Sequence, residues 1–406
     1  MSYNLDQVVD RSNTGSVKFK LIKRDGKYVP TTLADPNLGE DRLLQMWVAD
    51  MDFPVAEPIL KALHAKVDEK IFGYYVPEDS YYDSVIDWCK RRYNWQIEKD
   101  WIKISPGVVP ALYLMLPQIT KPGDKVLVQR PIYPPFVSSA EAAGCEVISN
   151  DLVYDRENLT YYMDFEDLDK KTADPACTVA ILCSPHNPVG RVWTAEELTK
   201  FAEICLKNNV IIISDEIHCD LIFEGHKFVA MATLSDEIAN QTITCMAPSK
   251  TFNLAGLKSS QIIISNPDLR QKFADAIQNA GLYGTNGFGP IATQAAYNHG
   301  EVWLADVMAY IQQNYEFTRD YFAEHIPEIK VVKPEGTYLL WTDCRDLGYE
   351  HEQLISKLLD EAKVHFNDGS TFCSESGKGF VRINAACSRV LLEEVLNRMK
   401  KVLKPE

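Results

Sequence analysis

No stretch of this 406-residue chain approaches the roughly 20 consecutive apolar residues that a spanning helix requires, so a membrane helix is not expected. The opening MSYNLDQVVDRSNTGS has no basic start followed by an apolar core, and no secretory signal is expected there. Positive charge is scarce: 42 Lys and Arg against 57 Asp and Glu leave a net charge of −15. Nucleic acid and anionic membrane both demand clustered cations, so neither is expected as a partner. No Cys-x-x-Cys occurs; the ten cysteines stand singly, many inside apolar runs (Cys183, Cys205, Cys219, Cys245), and read as reduced, buried thiols of a cytoplasmic protein. No glycine fingerprint opens a helix directly after a strand. The one dense glycine cluster, GLYGTNGFGP at 281–290, follows a helical segment and reads as a loop, which argues against a nicotinamide enzyme. His218 and Cys219 beside Asp215 and Asp220 lack the second cluster that a closed four-ligand metal site needs, so no metal is expected.

What the chain does have is alternation. Short runs rich in Val and Ile (KVLVQ at 125, TVAILC at 178, NVIIIS at 209, TITCM at 242, QIIIS at 261) are separated by segments of helical spacing such as PILKALHAKV at 58 and AEELTKFAEICLKN at 195. Runs apolar on both faces and joined by helices predict an α/β fold, a mainly parallel sheet covered on both sides. After residue 290 the pattern changes to a long helical stretch unbroken from Ile291 to Glu324, then short strands and a closing helix near Arg389–Leu403, which predicts a smaller α+β domain. The expected division is 1–48 as a segment joining the small domain, 49–290 as the large domain and 291–406 as the small one.

In an open parallel sheet, ligands sit beyond the carboxyl ends of the strands. Five such exits carry conspicuous residues: Pro106-Gly107-Val108-Val109, Arg130-Pro131-Ile132-Tyr133, Ser184-Pro185-His186-Asn187, Asp215-Glu216-Ile217-His218 and Ala247-Pro248-Ser249-Lys250. Each alone has a bland reading: a solvated lysine, an acidic cap, a turn asparagine, a strand-to-helix bend. Together they suit one chemistry. A lysine drawn out of water has a lowered pKa and can form a Schiff base with an aldehyde. A nearby aspartate can keep a ring nitrogen protonated, as pyridoxal phosphate requires in order to act as an electron sink. A glycine-led helix start offers free N–H groups to a phosphate.

These residues carry a family resemblance. SPHNPVGRVW (184–193), IIISDEIHCDL (211–221) and APSKTFNLAGLK (247–258) resemble the signature segments of fold-type I pyridoxal-phosphate enzymes, the aspartate aminotransferase superfamily. WVADMDFP (47–54), PGVVPAL (106–112), RPIYPPF (130–136), FNDGSTF (366–372) and FVRINAAC (380–387) resemble its cystathionine β-lyase and cysteine-S-conjugate β-lyase branch. The likeness runs from RSNTGSVKF at residue 11 to the last helix. It implies a three-layer large domain and pyridoxal 5′-phosphate as cofactor. It also implies roles: Lys250 as the covalent carrier and base, Asp215 at the pyridine nitrogen, Asn187 at the ring oxygen, Tyr133 stacked on the ring, and Gly107, Val108, Val109, Ser249 and Lys258 around the phosphate. Arg382, with Asn187, would take the substrate carboxylate. Tyr74 would reach the phosphate from a partner subunit, which implies a homodimer with shared sites. Two positions depart from the aminotransferase pattern toward the lyase branch: His218 stands where many aminotransferases have tyrosine, and Lys258 where they have arginine. The activity implied is cleavage of a small amino-acid substrate, L-cystathionine or a related cysteine S-conjugate, to a thiol (homocysteine), pyruvate and ammonia. Amino transfer to a keto acid is the alternative on the same scaffold. A cofactor-binding regulator is a third reading, for which no basic helix-turn-helix segment precedes residue 47.

Overall fold

The structure, a computed structural model, describes residues 3–24, 27–282 and 284–404; Tyr283, within the expected loop at 281–290, lies outside them. The five apolar runs, together with Ile102–Ser105 and the partly exposed Glu146–Ser149, form one seven-stranded sheet. Its strands are β1 (Ile102–Ser105), β2 (Lys125–Val128), β3 (Glu146–Ser149), β4 (Cys177–Cys183), β5 (Ile211–Asp215), β6 (Thr242–Met246) and β7 (Ser260–Ile263), in the spatial order β1-β7-β6-β5-β4-β2-β3. Every residue of β6 is buried, and β4 is buried nearly throughout, as strands covered on both faces must be. Only β7 runs against the rest, pairing antiparallel with both β6 and β1. The other six point one way, so the exits of β1, β2, β4, β5 and β6 open on the same side of the sheet, as the fold reading anticipated.

Three helices bear on the argument here: α1 (Glu57–Asp68), α2 (Asp79–Tyr93) and α3 (Val108–Ile119), the last starting directly after β1. The long stretch read as continuous from Ile291 to Glu324 is in fact two helices, α4 (Phe288–His299) and α5 (Glu301–His325), separated by Gly300. The reason is close packing. A Cβ on Gly300 would stand 2.4 Å from Cε1 of Phe252 and 2.6 Å from the Ala296 carbonyl oxygen, so the break lies where only glycine fits. The boundary expected at 290/291 falls inside α4. The buried face of that helix (Ala292, Ala296, Tyr297) shares a core with Ile59, Trp88 and Phe252, and α5 continues into it through Trp303 and Ile311.

Farther along α5, Phe322 joins a second core. There an antiparallel sheet of β8 (Lys330–Val331), β9 (Leu339–Asp343), β10 (Asn367–Asp368) and β11 (Phe380–Asn384), ordered β8-β9-β11-β10, is packed against α6 (Arg389–Leu403). The early segment belongs here as well: Leu44–Gln45 pairs in parallel with Val364–His365, and Leu44 and Met46 are buried in this core. No helix among the described residues is long and apolar enough to cross a membrane.

Candidate active site

The five strand exits and β11 line one cavity of about 420 Å³. Lys250 sits on a short turn of helix, Pro248–Thr251, that starts two residues beyond β6. Its Nζ donates to the Ala49 carbonyl oxygen at 2.7 Å. Asp215 is the last residue of β5, and the Ile217 N–H donates to its Oδ1 at 3.1 Å. Tyr133 directly precedes the helix Pro134–Ala142 after β2, and Gly107 directly precedes α3 after β1. Asn187 follows β4, and its Oδ1 accepts from Arg382 Nη1 at 2.9 Å, which links a loop of the large sheet to the middle of β11. The other Arg382 nitrogen, Nη2, donates to the Trp47 carbonyl at 3.0 Å and to Asn367 Oδ1.

Burial sets the electrostatics. Asp215, 4 % exposed, has its carboxyl raised from 3.8 to about 7 by desolvation, offset in part by the Ile217 N–H and by Lys250. Lys250 lies half-buried at the cavity wall; desolvation, with Arg382 adding repulsion, pulls its amine down to about 8. Desolvation and the same two cations, Lys250 and Arg382, keep His218 neutral, well below the usual imidazole range. Desolvation also lowers the Arg382 guanidinium to about 10. The Tyr133 phenol is raised by burial, with the Arg382 charge acting in the opposite sense.

The donor set fits pyridoxal phosphate on observations of the structure itself. The N-terminus of α3 has no side-chain cap and no acidic residue in its first turn, and Val108, Val109, Ser249 and Lys258 line the same cavity. Free N–H groups with a lysine and a hydroxyl suit a phosphate. Three buried polar atoms of lining residues, His218 Nδ1, Ser259 Oγ and Arg382 Nε, have no hydrogen-bond partner among the described residues, as expected of a cavity built around a polar group.

Of the residues singled out from sequence, Lys250, Asp215, Asn187, Tyr133, His218, Gly107, Val108, Val109, Ser249, Lys258 and Arg382 all line this cavity. Tyr74 does not. It is fully exposed, beside exposed Ile71, Phe72 and Val76. Sequence reading missed the Ala49 and Trp47 carbonyls, Asn367, Tyr28 and Tyr338. The Tyr338 hydroxyl also donates to Ala49 O, at 2.9 Å. Ala49 and Asn367 lie within segments already conspicuous, WVADMDFP and FNDGSTF, and that was the available signal.

Comparison with known proteins identifies the family. The family model described as aminotransferase class I and II matches residues 39–399. The cystathionine β-lyase PatB of Bacillus subtilis is 40% identical over 400 residues, spanning 98% of this chain and all of that one. Among solved structures, cystalysin from Treponema denticola, which contains pyridoxal 5′-phosphate, superimposes with a TM-score of 0.93 at 34% identity over 100% of this chain and 99% of its own. A pyridoxal-phosphate-bound protein from Clostridium difficile, assigned provisionally as an aminotransferase, gives 0.92 at 43% identity over 99% and 100%.

Proposed function

Because the chain belongs to the aminotransferase class I and II family, we propose that it is a pyridoxal-phosphate-dependent carbon–sulfur β-lyase. Its substrate would be L-cystathionine or a related cysteine S-conjugate, released as a thiol, pyruvate and ammonia. The observation that carries this reading is the convergence of Lys250, Asp215, the uncapped start of α3 and Arg382 on one cavity. The full-length likeness to PatB supports the choice of a β-lyase.

When bound, pyridoxal phosphate supplies an electron sink for negative charge at the substrate's α-carbon. Lys250 would hold its aldehyde carbon, Asp215 its ring nitrogen, Asn187 its ring oxygen and Tyr133 its ring face. The amides of Val108 and Val109, with Ser249 and Lys258, would hold its phosphate. Asp215 is suited to that place because a carboxyl buried this deeply ionises readily only beside a cation. Arg382 binds the substrate's α-carboxylate as a bidentate donor. Its orientation is preset by Asn187, Trp47 and Asn367. Freed from the aldehyde carbon when the substrate's amine takes its place, Lys250, with its pKa lowered to about 8, is a competent base near neutral pH and takes the proton from the α-carbon. Rupture of the Cβ–S bond then releases the thiol, and hydrolysis of the remaining three-carbon fragment gives pyruvate and ammonia.

The exposed apolar run Ile71, Phe72, Tyr74 and Val76 supports a homodimer in which Tyr74 of the partner subunit completes the phosphate site. All ten cysteines are unpaired, which supports a reducing, cytoplasmic setting. Amino transfer is the second reading, favoured by the Clostridium difficile neighbour. The two share removal of the α-proton and part afterwards. Incubation with L-cystathionine, and separately with an amino donor and 2-oxoglutarate, distinguishes them. Pyruvate with thiol in the first and no amino transfer in the second is the expected result; the reverse overturns the lyase.

A further inference from the structure

The strap from Trp47 to Asp52 lines the cavity through Trp47, Val48 and Ala49, and its main-chain carbonyls are claimed by several different elements. Trp47 O accepts from Arg382, and Ala49 O accepts from Lys250 and Tyr338. Val48 O and Asp50 O both accept from Asn384 Nδ2 at 2.6 Å, and Met51 O accepts from Asn253 Nδ2 at 2.9 Å. Both cations assigned to the chemistry, Lys250 and Arg382, therefore each donate a hydrogen bond to this strap.

The strap's two carboxylates are held by the N-terminal segment. Arg11 grips Asp50 with both terminal nitrogens, at 3.0 and 2.6 Å, and reaches Asp52 at 2.6 Å and Met51 O at 3.2 Å. Lys18 has a fully buried side chain; its Nζ lies 2.6 Å from Asp52 and 4.0 Å from Asp50. Trp47 Nε1 donates to Lys18 O at 3.1 Å. Two cations thus balance two anions in a largely enclosed cluster, where removing one member leaves an uncompensated charge. Asp50 follows directly on the carbonyl that holds Lys250, so its charge, once released from Arg11, bears on that lysine.

We propose that Arg11 is a positioning residue for the site: docked on Asp50 and Asp52, it fixes the strap that presents Ala49 O to Lys250 and Trp47 O to Arg382, and it neutralises Asp50. The inference rests on the reading of Lys250 as the cofactor-bearing residue. The charged and titratable groups around Lys250 are Asp50 on the strap, Asp215 at the end of β5, Arg382 on β11, Lys258, His218, which stays neutral, and the Tyr133 and Tyr338 phenols, both raised by burial. Of these, Asp50 alone is held by Arg11.

The test is a pH titration of the holoenzyme without substrate, following the visible absorption change that reports the proton on the Lys250 nitrogen. A carboxylate favours the protonated nitrogen. Arg11→Met therefore raises the midpoint by about half a pH unit or more. Arg11→Lys returns most of the shift, and Arg11→Met combined with Asp50→Asn brings the midpoint to the parent value or below. An unmoved midpoint in Arg11→Met overturns the proposal, and so does a double variant as high as the single one. Damage to the fold alone would lower cofactor occupancy without moving the midpoint, which also counts against it. Should Arg11→Met fail to fold, Asp50→Asn alone must lower the midpoint, and no change overturns the proposal. A parent protein that takes up no cofactor would overturn the assigned function instead.

Discussion

Asp215 costs the cofactor-free protein stability. Its carboxyl titrates at about 7 in the folded chain against 3.8 ordinarily. Between those values the native state keeps a proton that the unfolded state has released, so stability falls as pH rises through the window. Asp215→Asn stays neutral and removes that slope. Urea unfolding of the cofactor-free proteins at about pH 5 and about pH 8 should show the parent losing on the order of a few kcal/mol relative to the variant; equal losses in both contradict the burial argument. Lys250 acts in the opposite sense: its pKa is lowered from 10.5 to about 8, so its contribution improves as pH rises between those values. The side chains at the site were legible in the sequence because chemistry such as that of Lys250 and Asp215 is written in residue type and their place at strand exits. The Ala49 carbonyl was not, since every residue has one. Tyr338 was not either: a buried tyrosine in GTYLLW reads as core until its hydroxyl is seen on Ala49 O.

At the scale of elements, the central strands of the large sheet, such as β4 and β6, were readable because they are apolar on both faces. Strand direction was not readable, because a continuous apolar run is the same in either sense; hence the reversal of β7 came only with the structure. The break between α4 and α5 was hidden for a related reason, since a helical pattern continues through a single glycine. Gly300 answers to Phe252, two residues from Lys250. Gly300→Ala forces the Phe252 ring to shift and should cost about 2 kcal/mol of stability, with weaker cofactor retention as the Lys250 turn moves with it. Thermal unfolding and cofactor release on dilution measure the two effects. A variant as stable as the parent would show that the contact relaxes freely.

For the whole molecule, the family likeness implies a site completed by a second copy of the chain. Tyr74 is exposed and away from the cavity, although the family likeness gives it a phosphate contact. In a shared-site dimer, Tyr74→Ala weakens cofactor binding by about tenfold, the loss of one charge-assisted hydrogen bond, while sedimentation still gives twice the chain mass. A parent protein that sediments as a monomer and retains cofactor fully would contradict that arrangement. The account as a whole depends on one covalent attachment, and borohydride reduction of the holoenzyme followed by peptide mass mapping reads it directly. The cofactor adduct is predicted on the peptide containing Lys250; an adduct on any other lysine, or none, would contradict it.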